Sequence, residues 1–147
     1  FEFYLNLVQK LRIGFPGRDL VIVSNDIRER FDAGLLNQLQ HEIKDPKVRF
    51  QSLTNVGDVI SIYASSACVI SVRMHPLILS LIHGRPVIGV GKSNKVQELA
   101  KRVGFQLYIP EQTTDTELQA MVEKAVDQSS TDIDLLRELS WTNFDYL

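Results

Sequence analysis

The chain is short of several things, and each shortage excludes a class of protein. It has one cysteine, Cys68, in 147 residues, so no internal disulfide can staple it, and a reducing compartment is the natural setting. No apolar run approaches the roughly 20 residues that a membrane-spanning helix needs, and no secretory signal pattern is present. Neither a Walker loop nor a G-x-G-x-x-G run occurs, so a standard nucleotide loop is not supported. Positive charge is not in excess: 16 Lys and Arg against 18 Asp and Glu give a net charge of −2. That balance makes no case for nucleic acid or an anionic membrane surface as partner. Any anion site must be built locally, by a few residues. Internal repeats and low-complexity segments are also missing.

What is present suits one domain over residues 1–147, with 44% hydrophobic and 23% charged residues, enough to bury a core without staples. Tyr4, Leu7, Val8 and Leu11 recur at helical spacing until Gly14 and the Pro16-Gly17 pair. A helix is expected over 33–43, capped by Asp32, with Leu35, Leu36, Leu39 and Ile43 on one face. Another starts at Thr54-Asn55, with Val56, Val59, Ile60, Tyr63 and Ala64 as its apolar side. Helices are also expected from about Lys95 to Val103, ended by Gly104, from Thr114-Asp115 to about Val126, and over 132–141. Short apolar or β-branched runs give strands at 20–23, 48–52, 68–72, 86–90 and 106–109. Strand and helix alternate, which predicts a Rossmann-like three-layer α/β/α sandwich with a mostly parallel sheet of about five strands. No strand precedes the first helix, and the chain opens on Phe1-Glu2-Phe3-Tyr4-Leu5 without a methionine. The expectation is therefore a piece of a longer protein.

The rest of the chain is organised around residues 67–92. A buried strand containing Cys68 runs into Arg73 and His75, and an apolar helix follows. Gly84 and Pro86 stop that helix, and Val87-Ile88-Gly89-Val90 forms the next strand. In parallel α/β folds the strand-to-helix turn is where ligands bind. Pro76 suits the first helical turn, where its missing N–H would be unpaired anyway. The helix start favours an anion through free N–H groups and the dipole. Arg73 can hold a carboxylate or phosphate in a two-point fork. The following turn, Gly91-Lys92-Ser93-Asn94-Lys95, could reach the same anion if the two strands are neighbours, with Gly89 and Gly91 leaving room for a ligand.

The plainer readings stand beside these. An arginine at a strand end is often a surface residue, a histidine at a helix start a local hydrogen-bonding group, and Lys92 and Lys95 solvated loop charges. Cys68 reads as a small buried apolar residue rather than a nucleophile. His83 suits the helix C-terminus. His41, in a polar stretch, carries no case. No metal-ligand cluster is predicted.

The run Val69-Ile70-Ser71-Val72-Arg73-Met74-His75, then Leu77-Ile78-Leu79, Gly84-Arg85-Pro86-Val87-Ile88 and Lys95-Val96, resembles the polysaccharide pyruvyl transferase family. That family has an apolar strand ending in Arg-Leu-His, an apolar helix, a Gly-x-Pro-Val-Ile strand and a Lys-Val pair. Met74 stands in place of the leucine, Pro76 in place of a usually small residue, and Gly91-Lys92-Ser93-Asn94 in place of a loop with an aromatic and an Asp-Pro-like pair. The resemblance is most specific over 67–104 and extends loosely over 1–127.

It implies the C-terminal, donor-binding half of a glycosyltransferase-B-like protein, inactive without its N-terminal domain. The implied activity moves the enolpyruvyl unit of phosphoenolpyruvate onto hydroxyls of a glycan or lipid-linked sugar, for a cell-surface polysaccharide. No cofactor is implied. Arg73 and Lys95 match the clamp positions, with Lys92, Ser93 and Asn94 beside them; His75 matches the proton-handling group. A neutral His75 would act as base on the hydroxyl and a charged one would assist phosphate departure, the charged form being the expectation when donor is bound. The expected location is cytoplasmic, with peripheral membrane association left open. Two other readings remain: the donor half of a nucleotide-sugar glycosyltransferase or epimerase, with Glu98 as its candidate ribose ligand, and a non-catalytic binding domain of the same fold.

Overall fold

The computed structural model of the protein describes residues 1–24, 33–128, 134 and 138. The chain divides into two compact units, Phe1–Val59 and Ile60–Leu147.

In the first unit, α1 (Glu2–Gly14) buries Val8 and Leu11, and α2 (Gly34–Glu42) buries Leu36 and Leu39. Strands β1 (Leu20–Ser24) and β2 (Val48–Ser52) pair in parallel, from Leu20 opposite Val48 to Ser24 opposite Ser52. One guanidinium gathers the connections. Arg12 Nε donates to Asp45 Oδ2 at 2.7 Å, and its terminal nitrogens donate to the carbonyls of Phe15, Pro16 and Arg18 at 3.0, 3.2 and 2.6 Å. The other oxygen of Asp45 accepts the Lys47 N–H at 2.8 Å. The chain just after α1 is thereby tied to the loop that leads into β2. The Arg12 hydrogen bond, followed by that of Lys47, lowers the Asp45 carboxyl below its ordinary 3.8.

Helix α3 (Val56–Ser65) leads from one unit into the other. Asn55 caps it, accepting the Asp58 N–H at 2.9 Å. The apolar side read from its spacing is only partly covered: Tyr63 is buried, but Val56 is 73% and Ile60 40% exposed. Periodicity identifies an apolar side without saying what packs on it.

The second unit holds β3 (Val69–Ser71), α4 (Met74–Ile82), β4 (Val87–Val90), α5 (Asn94–Val103), β5 (Gln106–Tyr108) and α6 (Asp115–Val126). The sheet order is β3-β4-β5, all parallel. The central strand β4 is buried along its whole length, as its unbroken apolar run requires. Both crossovers step the same way across the sheet, so right-handed connection puts α4 and α5 on one face, where the two helices pack together. Leu77 and Leu81 of α4 and Ile88 of β4 have no solvent exposure, and truncating such a leucine costs about 2–5 kcal/mol. Ser80 is as deeply buried, and its hydroxyl donates to the Pro76 carbonyl at 2.7 Å. Helices α4 and α5 end as expected at Gly84 and Gly104, both with positive φ (66° and 89°), where glycine is the residue without steric cost.

The five strands and their parallel sense agree with the sequence reading, but they fall into two sheets, of two and three strands, rather than one. Alternating strands and helices imply parallel pairing without saying which strands pair. Cys68 precedes β3 rather than lying within it. Asp32 lies outside the described residues, as does the helix expected over 132–141, apart from Asp134 and Glu138. Among the described residues no helix is long and apolar enough to cross a membrane.

The Arg12–Asp45 pair has a pH signature. A carboxyl lowered on folding adds stability above its unfolded value and loses that contribution as pH falls through the folded one. Thermal melts of the wild type and Asp45→Asn should differ at neutral pH, the wild type being higher. The two should converge as pH drops below 3.8; parallel curves would contradict the pair's role.

Candidate functional site

Register builds the site. Val69, Ile70 and Ser71 of β3 stand opposite Val87, Ile88 and Gly89 of β4, so the carboxyl ends of both strands meet one edge of the sheet. Each strand then turns into a helix. Between β3 and α4 the Ser71 hydroxyl accepts the Arg73 N–H at 3.0 Å, which shapes the turn. Arg73 is extended backbone at the N-cap of α4 (φ −110°, ψ 144°). Arg73 and His75 are exposed while Pro76 is buried, so the polar members of the first turn face solvent.

The backbone donors at this helix start can be accounted for one by one. Ser71 takes the Arg73 N–H, and Pro76 has none. No side chain caps α4, and the N–H groups of Met74 and His75 have no acceptor among the described residues. At α5 the N-cap is Ser93, in the extended conformation a capping serine adopts (φ −122°, ψ 132°), yet its hydroxyl makes no capping bond. Helix α6 differs: Thr114 and Glu117 form a capping box that takes up the N–H groups of Glu117 and Thr114, while α1 and α2, like α4 and α5, have no side-chain cap.

Acidic residues are also missing from the first turns of α4 and α5, as they are from that of α2, whereas α1, α3 and α6 carry Glu2, Asp58, and Asp115 with Glu117 there. A carboxylate at a helix N-terminus neutralises the dipole and competes with an anion. The structure thus brings Arg73, His75, Lys92, Ser93, Asn94 and Lys95 to one edge of one sheet, beside two open helix ends. All are exposed except Ser93, which is half-buried.

The remaining candidates lie elsewhere. His83 is the C-cap of α4, at the opposite end of that helix from Arg73 and His75. His41 is on α2, and Glu98 is exposed on α5. Burial pushes the Cys68 thiol up to about 12, so the nucleophilic thiolate is suppressed at neutral pH. Among the described residues no group of three or more His, Cys, Asp and Glu is placed to hold a metal ion.

Two glycines expected to leave room for a ligand instead leave room for the core. A Cβ on Gly89 would sit 2.8 Å from both Phe105 Cε2 and Val96 Cγ1, and one on Gly91 would sit 3.0 Å from Ile109 Cγ1. Two polar residues escaped the sequence reading: Ser71, and Gln97, whose Nε2 donates to the Gly91 carbonyl at 2.7 Å. A serine two residues before Arg73 is a weak turn signal; nothing in the sequence points from Gln97 to Gly91.

Parallel strands, two open helix starts and clustered cations define the protein as an α/β fold with a polar, cation-rich carboxyl edge. The chain belongs to the polysaccharide pyruvyl transferase family, whose model matches residues 7–94. By that family it is a transferase. The match includes Arg73, His75, Lys92, Ser93 and Asn94 and ends one residue before Lys95. Comparison with curated proteins and with solved structures returned no match.

The packing role of Gly89 can be separated from a ligand role. Gly89→Ala should lower stability by about 1–3 kcal/mol through overpacking, read from urea unfolding. Unchanged stability with lost ligand binding would restore the ligand-access reading.

Proposed function

We propose that the chain carries the donor site of an enzyme that transfers the pyruvyl group of phosphoenolpyruvate to hydroxyls of a cell-surface polysaccharide or its lipid-linked precursor. The observation that carries this reading is the parallel β3–β4 pair in a member of the pyruvyl transferase family. That pair sets two uncapped helix starts beside Arg73, His75 and Lys95. Phosphoenolpyruvate presents a carboxylate and a phosphate, and its charge of about −3 at neutral pH suits a site of cations and N–H donors.

In this reading Arg73 holds one anionic group through its planar fork. Lys95, with Lys92, Ser93, Asn94 and the start of α5, holds the other. Over the reaction C2 of the donor gains two sugar oxygens, and the C2–O bond to phosphorus breaks. C3 takes one of the two hydroxyl protons, and the other leaves on inorganic phosphate. The product is a pyruvate ketal. His75 gives a proton to the departing phosphate and regains one from the attacking hydroxyl, the ordinary cycle of an imidazole acid–base group. The acceptor site is supplied by a preceding domain of the longer protein, and the chain alone binds donor without turnover. The enzyme works in the cytoplasm, where donor is made available by metabolism.

Calorimetry on the intact protein should show phosphoenolpyruvate binding and no comparable binding of a uridine diphosphate sugar. Arg73→Ala should weaken donor binding about 10- to 100-fold, the equivalent of one charge-assisted hydrogen-bond pair. His75→Asn should retain donor binding and lose about 10²- to 10⁴-fold in turnover. Binding of the nucleotide sugar alone would move the protein to a different donor class, and an Arg73→Ala variant that binds normally would remove the clamp.

A further inference from the structure

We infer that Gln97 is a positioning residue for the donor, holding the turn between β4 and α5 in the shape that leaves the start of α5 open. The inference rests on the donor reading above and names a residue that reading did not use.

Four hydrogen bonds among the described residues run through the turn. The Gly91 N–H donates to the Tyr108 carbonyl at 2.8 Å, continuing the β4–β5 ladder by one residue. The Lys92 N–H donates back to Val90 at 2.9 Å, and the Gln97 N–H to the Ser93 carbonyl at 3.1 Å. The fourth is the Gln97 side chain, donating to the Gly91 carbonyl at 2.7 Å from a half-buried position. Gln97 therefore grips both ends of the turn, Ser93 through its backbone and Gly91 through its amide. A Cβ at residue 91 would press on Ile109 Cγ1 at 3.0 Å and on Leu107 Cδ2 at 3.3 Å, so a side chain there would stiffen the turn only by displacing them.

A helix start is usually held by its N-cap side chain, which takes up one of the first N–H donors. Ser93 has the backbone geometry for this and does not do it. The Gln97 amide holds the same turn through a carbonyl instead, so the donors at the start of α5 and the Ser93 hydroxyl are not consumed. Stability of the turn and availability of its donors would otherwise compete for the same atoms. Such preorganisation lowers the entropic cost of binding, and its loss shows in affinity rather than in chemistry.

The test is Gln97→Met in the intact protein, which keeps the length of the side chain and removes the donor. The expected result is a rise of about tenfold in the KM for phosphoenolpyruvate, with kcat within about twofold and little change in Tm. An unchanged donor KM overturns the inference whatever happens to Tm, and so does a fall in kcat alone. Wild-type amide exchange provides a check that does not depend on the variant folding: phosphoenolpyruvate should slow exchange at Asn94 and Lys95, and no slowing overturns the inference. Wild-type protein that fails to bind phosphoenolpyruvate overturns the donor reading instead, and is distinguished by that result.

Discussion

The candidate site depends on one constraint, the parallel pairing of β3 with β4 in a register that sets Ser71 opposite Gly89. Parallel strands send both following turns to the same edge, so residues about 20 positions apart in sequence come to lie on neighbouring turns. Gly89 has no Cβ because Phe105 and Val96 occupy that space, which lets α5 close tightly on β4 and fixes where its N-terminus emerges. The core thus determines the geometry of the polar edge.

Charge at that edge is local. A chain with net charge −2 has no long-range field to attract an anion, and salt would screen one beyond about 8 Å. What remains is short-range: exposed cations, helix starts without acidic residues, and backbone donors that no side chain takes. Helix α6, by contrast, carries a capping box, while α1 and α2 share the lack of a side-chain cap with α4 and α5. At α4 Ser71 takes the Arg73 N–H and Pro76 has none, so the donors left open are those of Met74 and His75. At α5 they are left open because Gln97 secures the turn from outside.

Much of the local structure was legible in sequence. Gly84 and Gly104 ended their helices, Thr114 opened one, and the apolar runs became strands, because each depends on neighbours a few residues away. The turn residues Arg73 and His75 were legible for the same reason. Less so were the glycines at 89 and 91, whose roles depend on Phe105, Leu107 and Ile109 across the sheet. Val56 and Ile60 carried the spacing of a buried face and stayed exposed, since spacing says nothing about a covering partner. The Arg12–Asp45 bond joins residues 33 positions apart, and no local rule pairs them.

The sequence by itself therefore determined the elements, their parallel sense, the family resemblance and the polar residues at two turns, all of which follow from local propensity and short-range pattern. Tertiary structure decided which strands pair, that the five form two sheets, that both turns share an edge, and which backbone donors there stay open. Those outcomes depend on the fit of side chains distant in the chain, and pairing energy between distant residues is not a property of any single stretch.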